Sequence, residues 1–172
     1  MILGFRRSVP SQLRNILLSP GPPKTIRDLE QWASCSKTRL SSCYLIFCSP
    51  SSVLVVERDL AKTTALISTD FLACTNHDVD MEDITPEERI LLLQRHGFVG
   101  NTVEHIIAES VERKECIVQM QRQTKRRVTL SKVKKWLEQV PVVNEATHYS
   151  CIMDPSAEGG GLLWVQQYPS SE

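Results

Sequence analysis

The sequence carries no excess of charge: lysine plus arginine number 20, and so do aspartate plus glutamate. No global field therefore draws the chain toward nucleic acid or an anionic membrane. It also lacks any uninterrupted apolar run near the roughly 18 residues of a membrane-spanning helix, so no transmembrane segment is expected. The apolar start, Met1–Phe5, is cut off at Arg6 and Arg7, too short for the core of a signal peptide. No Asn-x-Ser/Thr acceptor occurs, which leans away from a glycosylated secretory protein. The six cysteines (Cys35, Cys43, Cys48, Cys74, Cys116, Cys151) have no Cys-x-x-Cys spacing, and the four histidines (His77, His96, His105, His148) show no ligand spacing with cysteine or carboxylate. Neither a metal nor another cofactor is expected. There is no internal repeat, and Gly159–Gly161 reads as a turn without phosphate-loop spacing around it.

What is present is enough for one domain with a proper core, 172 residues. Helical spacing of Leu13, Ile16 and Leu17, broken by Pro10, ends in the loop Ser19-Pro20-Gly21-Pro22-Pro23. Thr25 with Asp28 then predicts a capped helix reaching about Ser36. Four β-branched or aromatic runs follow, Cys43–Cys48, Val53–Glu57, Thr63–Ile67 and Phe71–Thr75, and they read as an antiparallel meander. Cys43, Cys48, Cys74 and Cys151 fall in such apolar runs, so buried free thiols are expected. Thr85-Pro86-Glu87-Glu88 is a helix start, and Gly97 a stop. Asn101 to about Arg127 reads as helical, with Val103, Ile106, Ile107 and Val111 on one face. Ser131 is read as the cap of a further helix through Leu137, and Thr147–Met153 and Leu162–Gln167 as two closing strands. The order predicts an α+β class, an antiparallel sheet with flanking helices.

The segment Phe71-Leu72-Ala73-Cys74-Thr75-Asn76-His77-Asp78, an apolar run leading into Thr-Asn-x-Asp, resembles acid ceramidase and N-acylethanolamine acid amidase. Other elements agree in order: Gly4-Phe5 with Arg7; the runs Cys43-Tyr44-Leu45-Ile46 and Val55-Val56-Glu57-Arg58-Asp59; Glu88-Arg89; and Pro141-Val142-Val143-Asn144 with Thr147-His148-Tyr149. The similarity covers nearly the whole chain. The Thr-Asn-x-Asp and Pro-Val-x-Asn elements are the specific ones.

That resemblance implies the carboxy-terminal part of an N-terminal-nucleophile amide hydrolase, with residues 1–172 forming part of a single αββα sandwich. Its substrates would be N-acyl lipids, amides of sphingosine or ethanolamine. A cysteine freed as a new N-terminus attacks the amide carbonyl, and aimed donors stabilise the developing oxyanion. Asn76 matches the oxyanion-hole asparagine, Arg89 the arginine that orients the site with its planar fork, and His77 stands where the family carries an aromatic, as pocket lining. Read without the family, an Asn before His-Asp is a turn residue and Arg89 a solvated helix arginine. The resemblance also implies a lysosomal or secreted location.

The family's nucleophilic cysteine, with an arginine and an aspartate behind it, lies upstream of the part that aligns with Gly4, so the expectation is an incomplete chain that is inactive alone and completed by a separate or missing N-terminal chain. Cys35 and Cys43 are poor replacements, because exposing either would delete the preceding helix and Cys43 fills a core strand position. The stretch from about 101 to 128 is longer than the family's link and reads as a helical insertion. Its basic end, Gln121–Arg127, supplies the alternative function, a non-catalytic fragment or interaction module that binds acidic lipid headgroups or nucleic acid through a basic helix. No interleaved aromatics support base stacking, and no nucleic-acid partner is expected.

Overall fold

The computed structural model describes residues 8–35, 42–59, 62–95, 101–124, 127–158 and 161–169, and it divides into two compact units, Met1–Leu72 and Ala73–Glu172. The architecture is α+β, with two small antiparallel sheets and flanking helices.

In the first unit, helix α1 (Val9–Leu17) begins at Ser8, whose hydroxyl accepts the Ser11 N–H. Pro10 lies in the first turn, where its missing N–H costs nothing, so it starts the helix rather than breaking it. Helix α2 (Ile26–Ser34) has the predicted Thr25 cap, completed by a reciprocal bond: Thr25 Oγ1 accepts from Asp28 N at 3.1 Å and the Asp28 carboxylate accepts from Thr25 N at 2.9 Å.

Strands β1 (Cys43–Cys48), β2 (Val53–Arg58) and β3 (Thr63–Ser68) form a three-stranded antiparallel sheet in sequence order. Leu45 pairs with Val56 and Phe47 with Leu54, so the period-2 alternation places these four on one face. Leu54, Val56 and Leu45 form the core there with Ala33 of α2, and Leu29, Trp32 and Leu13 pack around them. The Arg58 guanidinium donates to the Ala33 carbonyl at the end of α2.

Phe71–Thr75 is not a fourth strand. The chain bends at Thr69 and Asp70 after β3, and residues 71–75 enter neither of the two sheets. Nor are the thiols buried: Cys35 and Cys48 are exposed and the other four half-buried. Cys48 ends β1 and alternates onto the face opposite Leu45.

In the second unit, Thr85 starts helix α3 (Pro86–Arg95) with a full capping box: Thr85 Oγ1 accepts from Glu88 N at 3.2 Å, and Glu88 Oε2 accepts from Thr85 N at 2.9 Å. The predicted stop at Gly97 lies outside the described residues. Helix α4 (Asn101–Gln123) packs against α3, with Leu93 and Ile107 buried, whereas Ile106 is turned to solvent. The helix ends at Gln123 rather than near Arg127, because the Thr124 hydroxyl donates back to the Met120 carbonyl at 2.9 Å and its N–H to Gln121 O at 3.0 Å. The basic run 121–127 is therefore not one helix. Arg122 is in α4, Arg127 is exposed beyond it, and Lys125 and Arg126 lie outside the described residues.

Helix α5 (Leu130–Leu137) is capped by Thr129, not Ser131. Strands β4 (Tyr149–Met153) and β5 (Leu162–Gln167) pair as expected, and Lys134 of α5 lies 5.4 Å from the ring centre of Trp164, a cation–π contact. Among the described residues, no helix is long and apolar enough to cross a membrane.

Candidate functional site

The residues singled out in the sequence, Asn76, His77 and Arg89, all fall in the second unit. Asn76 and His77 form a bend after residues 71–75, ahead of a short 3-10 turn at Val79–Met81. The Asn76 N–H is satisfied by Ser110 Oγ of α4, which accepts it at 2.7 Å. Ser110 is fully buried, so this bond fixes the bend from within.

His77 is buried as well, and its two nitrogens have different surroundings. Nδ1 lies 2.9 Å from Ser110 Oγ and 3.0 Å from Thr75 Oγ1. Nε2 lies 3.5 Å from Glu82 Oε1, too far for a full hydrogen bond, and has no other partner. The carboxylate favours the proton on Nε2, which leaves Nδ1 free to accept the Ser110 hydroxyl proton. Burial is the main influence that holds the His77 pKa below its ordinary value; Glu82 pulls it back up, while the Lys114 and Arg89 charges push it down. The imidazole is thus neutral at neutral pH.

Arg89 is buried in α3, which corrects the reading of a solvated helix arginine. Its Nη2 donates to Met81 O at 3.0 Å and at 3.5 Å to Ile84 O. The guanidinium fork therefore clamps the chain that follows the Asn76–His77 bend, a positioning role. The Asn76 side chain is at the exposed surface of the bend.

Beside this bend runs an open groove of about 560 Å³ lined by His77, Glu82 and one stripe of α4. Val111, Lys114, Glu115, Val118 and Arg122 recur at helical spacing and face it together. Lys114 donates to Glu82 Oε1 at the His77 end. The groove's size is that of a small-molecule site.

No protein-family model, curated protein or solved structure matches the chain.

Chemically, Ser110, His77 and Glu82 line up as hydroxyl, imidazole and carboxylate, yet this is not a nucleophilic triad, because the Ser110 hydroxyl has no solvent exposure and already holds the Asn76 N–H. Cys43 is no nucleophile either: burial pushes its thiol pKa up, with Arg58 only partly opposing, and a raised pKa lowers the thiolate fraction. No cluster of three or more metal-ligating side chains occurs among the described residues.

Ser110, Glu82 and Lys114 were not found from the sequence. For Ser110 a signal existed, a small hydroxyl residue inside the apolar stripe Ile107–Val111 of a long helix. Such a position is either a back-bonded serine or a partner for a distant polar group. Glu82 and Lys114 are 32 residues apart and carry no local signal.

Proposed function

We propose that this chain is the part of an N-acyl lipid amide hydrolase that bears the oxyanion donor, with the Asn76 carboxamide as that donor. The observation that supports it is the mounting of Asn76: a backbone pinned at 2.7 Å to a fully buried hydroxyl, with the side chain at the surface. That bond fixes the backbone from which the exposed carboxamide reaches outward, and a donor that starts from a fixed backbone has less to reorganise as charge develops on the substrate oxygen. Arg89 fixes the segment behind it by its bonds to Met81 and Ile84, and His77 walls the adjoining groove.

In this reading the two antiparallel sheets with their helices are part of an αββα sandwich, and the attacking cysteine is contributed by a partner chain segment. The test is hydrolysis of N-acylethanolamine and N-acylsphingosine by the complete gene product, followed by mass spectrometry of the released fatty acid. Cleavage that a thiol reagent abolishes is the expected result. Absence of cleavage of either amide by the complete product would overturn the reading.

A further inference from the structure

The basic run that follows α4 has no part in the proposed hydrolysis. Lys125-Arg126-Arg127 leads directly into Val128-Thr129-Leu130, and Thr129 is the only serine or threonine of the sequence with arginine both two and three residues before it. That spacing is a recognition pattern. Protein kinases select their acceptors partly by charge, and each of two guanidinium forks can pair with a carboxylate of an acidic substrate cleft. Directly after the acceptor, Leu130 offers the cleft an apolar side chain that is 41% exposed.

The structure presents this stretch in a form that such a cleft can take up. Arg127, Val128 and Thr129 lie between α4 and α5 in neither helix nor strand, and residues 127–130 are all exposed. The Thr129 backbone is extended, with φ −113° and ψ 157°, so successive side chains point to opposite sides. Its hydroxyl is held lightly: Oγ1 accepts the Lys132 N–H at 3.4 Å, the long end of hydrogen-bond range. Leu130 is the first residue of α5, and helix ends open at little cost. Fraying of that one residue extends the chain from Arg127 through Leu130.

We propose that Thr129 is a phosphorylation site for an arginine-directed protein kinase. Thr129 Oγ1 attacks the γ-phosphorus of a nucleoside triphosphate and the bond from that phosphorus to the β–γ bridging oxygen breaks. The nucleoside diphosphate leaves, and the hydroxyl proton passes to the kinase's catalytic aspartate. The product carries about 1.5–2 negative charges at the N-cap of α5, where the first-turn N–H groups and the positive end of the helix dipole meet them. No acidic residue occupies that first turn, and Lys134 and Lys135 follow further along α5, so the phosphate meets no like charge within the helix. It also offsets the positive run just before it. Neither Asn76 nor amide hydrolysis enters this assignment.

The experiment is incubation of the full chain with magnesium, ATP and an arginine-directed kinase, in parallel with an acid-directed kinase, followed by mapping of the phosphopeptides by mass spectrometry. Thr129 should be the main phosphorylated residue with the first enzyme and unmodified by the second. Arg126→Ala/Arg127→Ala should lower the rate about tenfold or more, while Thr129→Ser should remain an acceptor at the same position. Hydrogen exchange should then show slower exchange at the first-turn amides of α5 in the phosphorylated chain. No incorporation, phosphate mainly on Thr124 or Ser131, equal modification by the acid-directed kinase, or an unchanged rate in the double arginine variant would overturn the assignment; faster exchange in α5 would overturn the capping role of the phosphate.

Discussion

Ser110 Oγ lies 2.9 Å from His77 Nδ1 and 2.7 Å from the Asn76 backbone nitrogen, so one hydroxyl in the middle of α4 satisfies two polar groups more than thirty residues away in sequence. Its removal leaves a backbone N–H without a partner and the imidazole with Thr75 alone. Ser110→Ala should therefore destabilise the chain by about 1–3 kcal/mol, read as a lower urea midpoint with unchanged slope. A change under about 0.5 kcal/mol would mean that water replaces the hydroxyl and that the bend is not pinned from within.

His77 sets a pH dependence with a definite sign. Its folded-state pKa lies below the unfolded value, chiefly through burial, so below about pH 6.5 the unfolded chain takes up a proton that the folded chain resists. Stability is full above that value and falls as pH drops toward the folded pKa. Asp28 and Asp154, whose pKa values are lowered by hydrogen bonds from Thr25 and Ser156 respectively, lose their contributions only near and below pH 4. Between pH 7 and 5 the melting temperature should thus decline in the wild type and decline less in His77→Gln. Parallel slopes in the two proteins would remove His77 as the cause.

How much of this was legible in the sequence depends on the range of each interaction. The caps at Thr25 and Thr85 are local, three residues from their partners, and both helices start where those residues predict. Strands β1 to β3 announce themselves because β-branched runs separated by short polar breaks can pair with the next run. Phe71–Thr75 has the same composition but enters no ladder among the described residues, and composition does not record which strand edge a run will meet. The site divides likewise. Asn76, His77 and Arg89 could be singled out by motif, whereas the hydroxyl that pins the bend and the carboxylate at His77 Nε2 come from contacts that only folding creates.

Thr85 allows a check on the local part of that account. Thr85→Ala removes the acceptor for Glu88 N in the capping box and should cost about 0.5–2 kcal/mol, while Thr85→Ser should be nearly neutral. Both follow from equilibrium denaturation monitored by circular dichroism. An equal loss in the serine variant would show that the methyl packing, not the hydroxyl, starts α3.

The core of the first unit makes a larger demand. Leu54 has no exposure and sits at the centre of the cluster with Ala33, Leu45 and Val56. Leu54→Ala should cost about 2–5 kcal/mol, the range for a buried leucine whose cavity cannot fully collapse. A loss below about 1 kcal/mol would place the core elsewhere.

Asn76 and Arg89 should part company when stability and activity are measured together. The Asn76 side chain is exposed, so Asn76→Ala should change stability by no more than about 0.5 kcal/mol. Under the proposed function it removes one oxyanion donor, and kcat for amide cleavage by the complete gene product should fall roughly a hundred- to a thousandfold with KM little changed. Arg89 is buried and holds two backbone carbonyls, so Arg89→Met strands both acceptors and should cost about 1.5–3 kcal/mol in stability. Its effect on turnover is indirect, through the chain that follows the bend, and Arg89→Lys should restore part of the activity by bonding one of the two carbonyls. Asn76→Asp supplies the sharper contrast, because a carboxylate of the same size accepts where the amide donates and should be at least as damaging as alanine. Full activity in Asn76→Asp would show that the carboxamide donates nothing to the reaction, and the bend would then serve only to hold His77 against the groove.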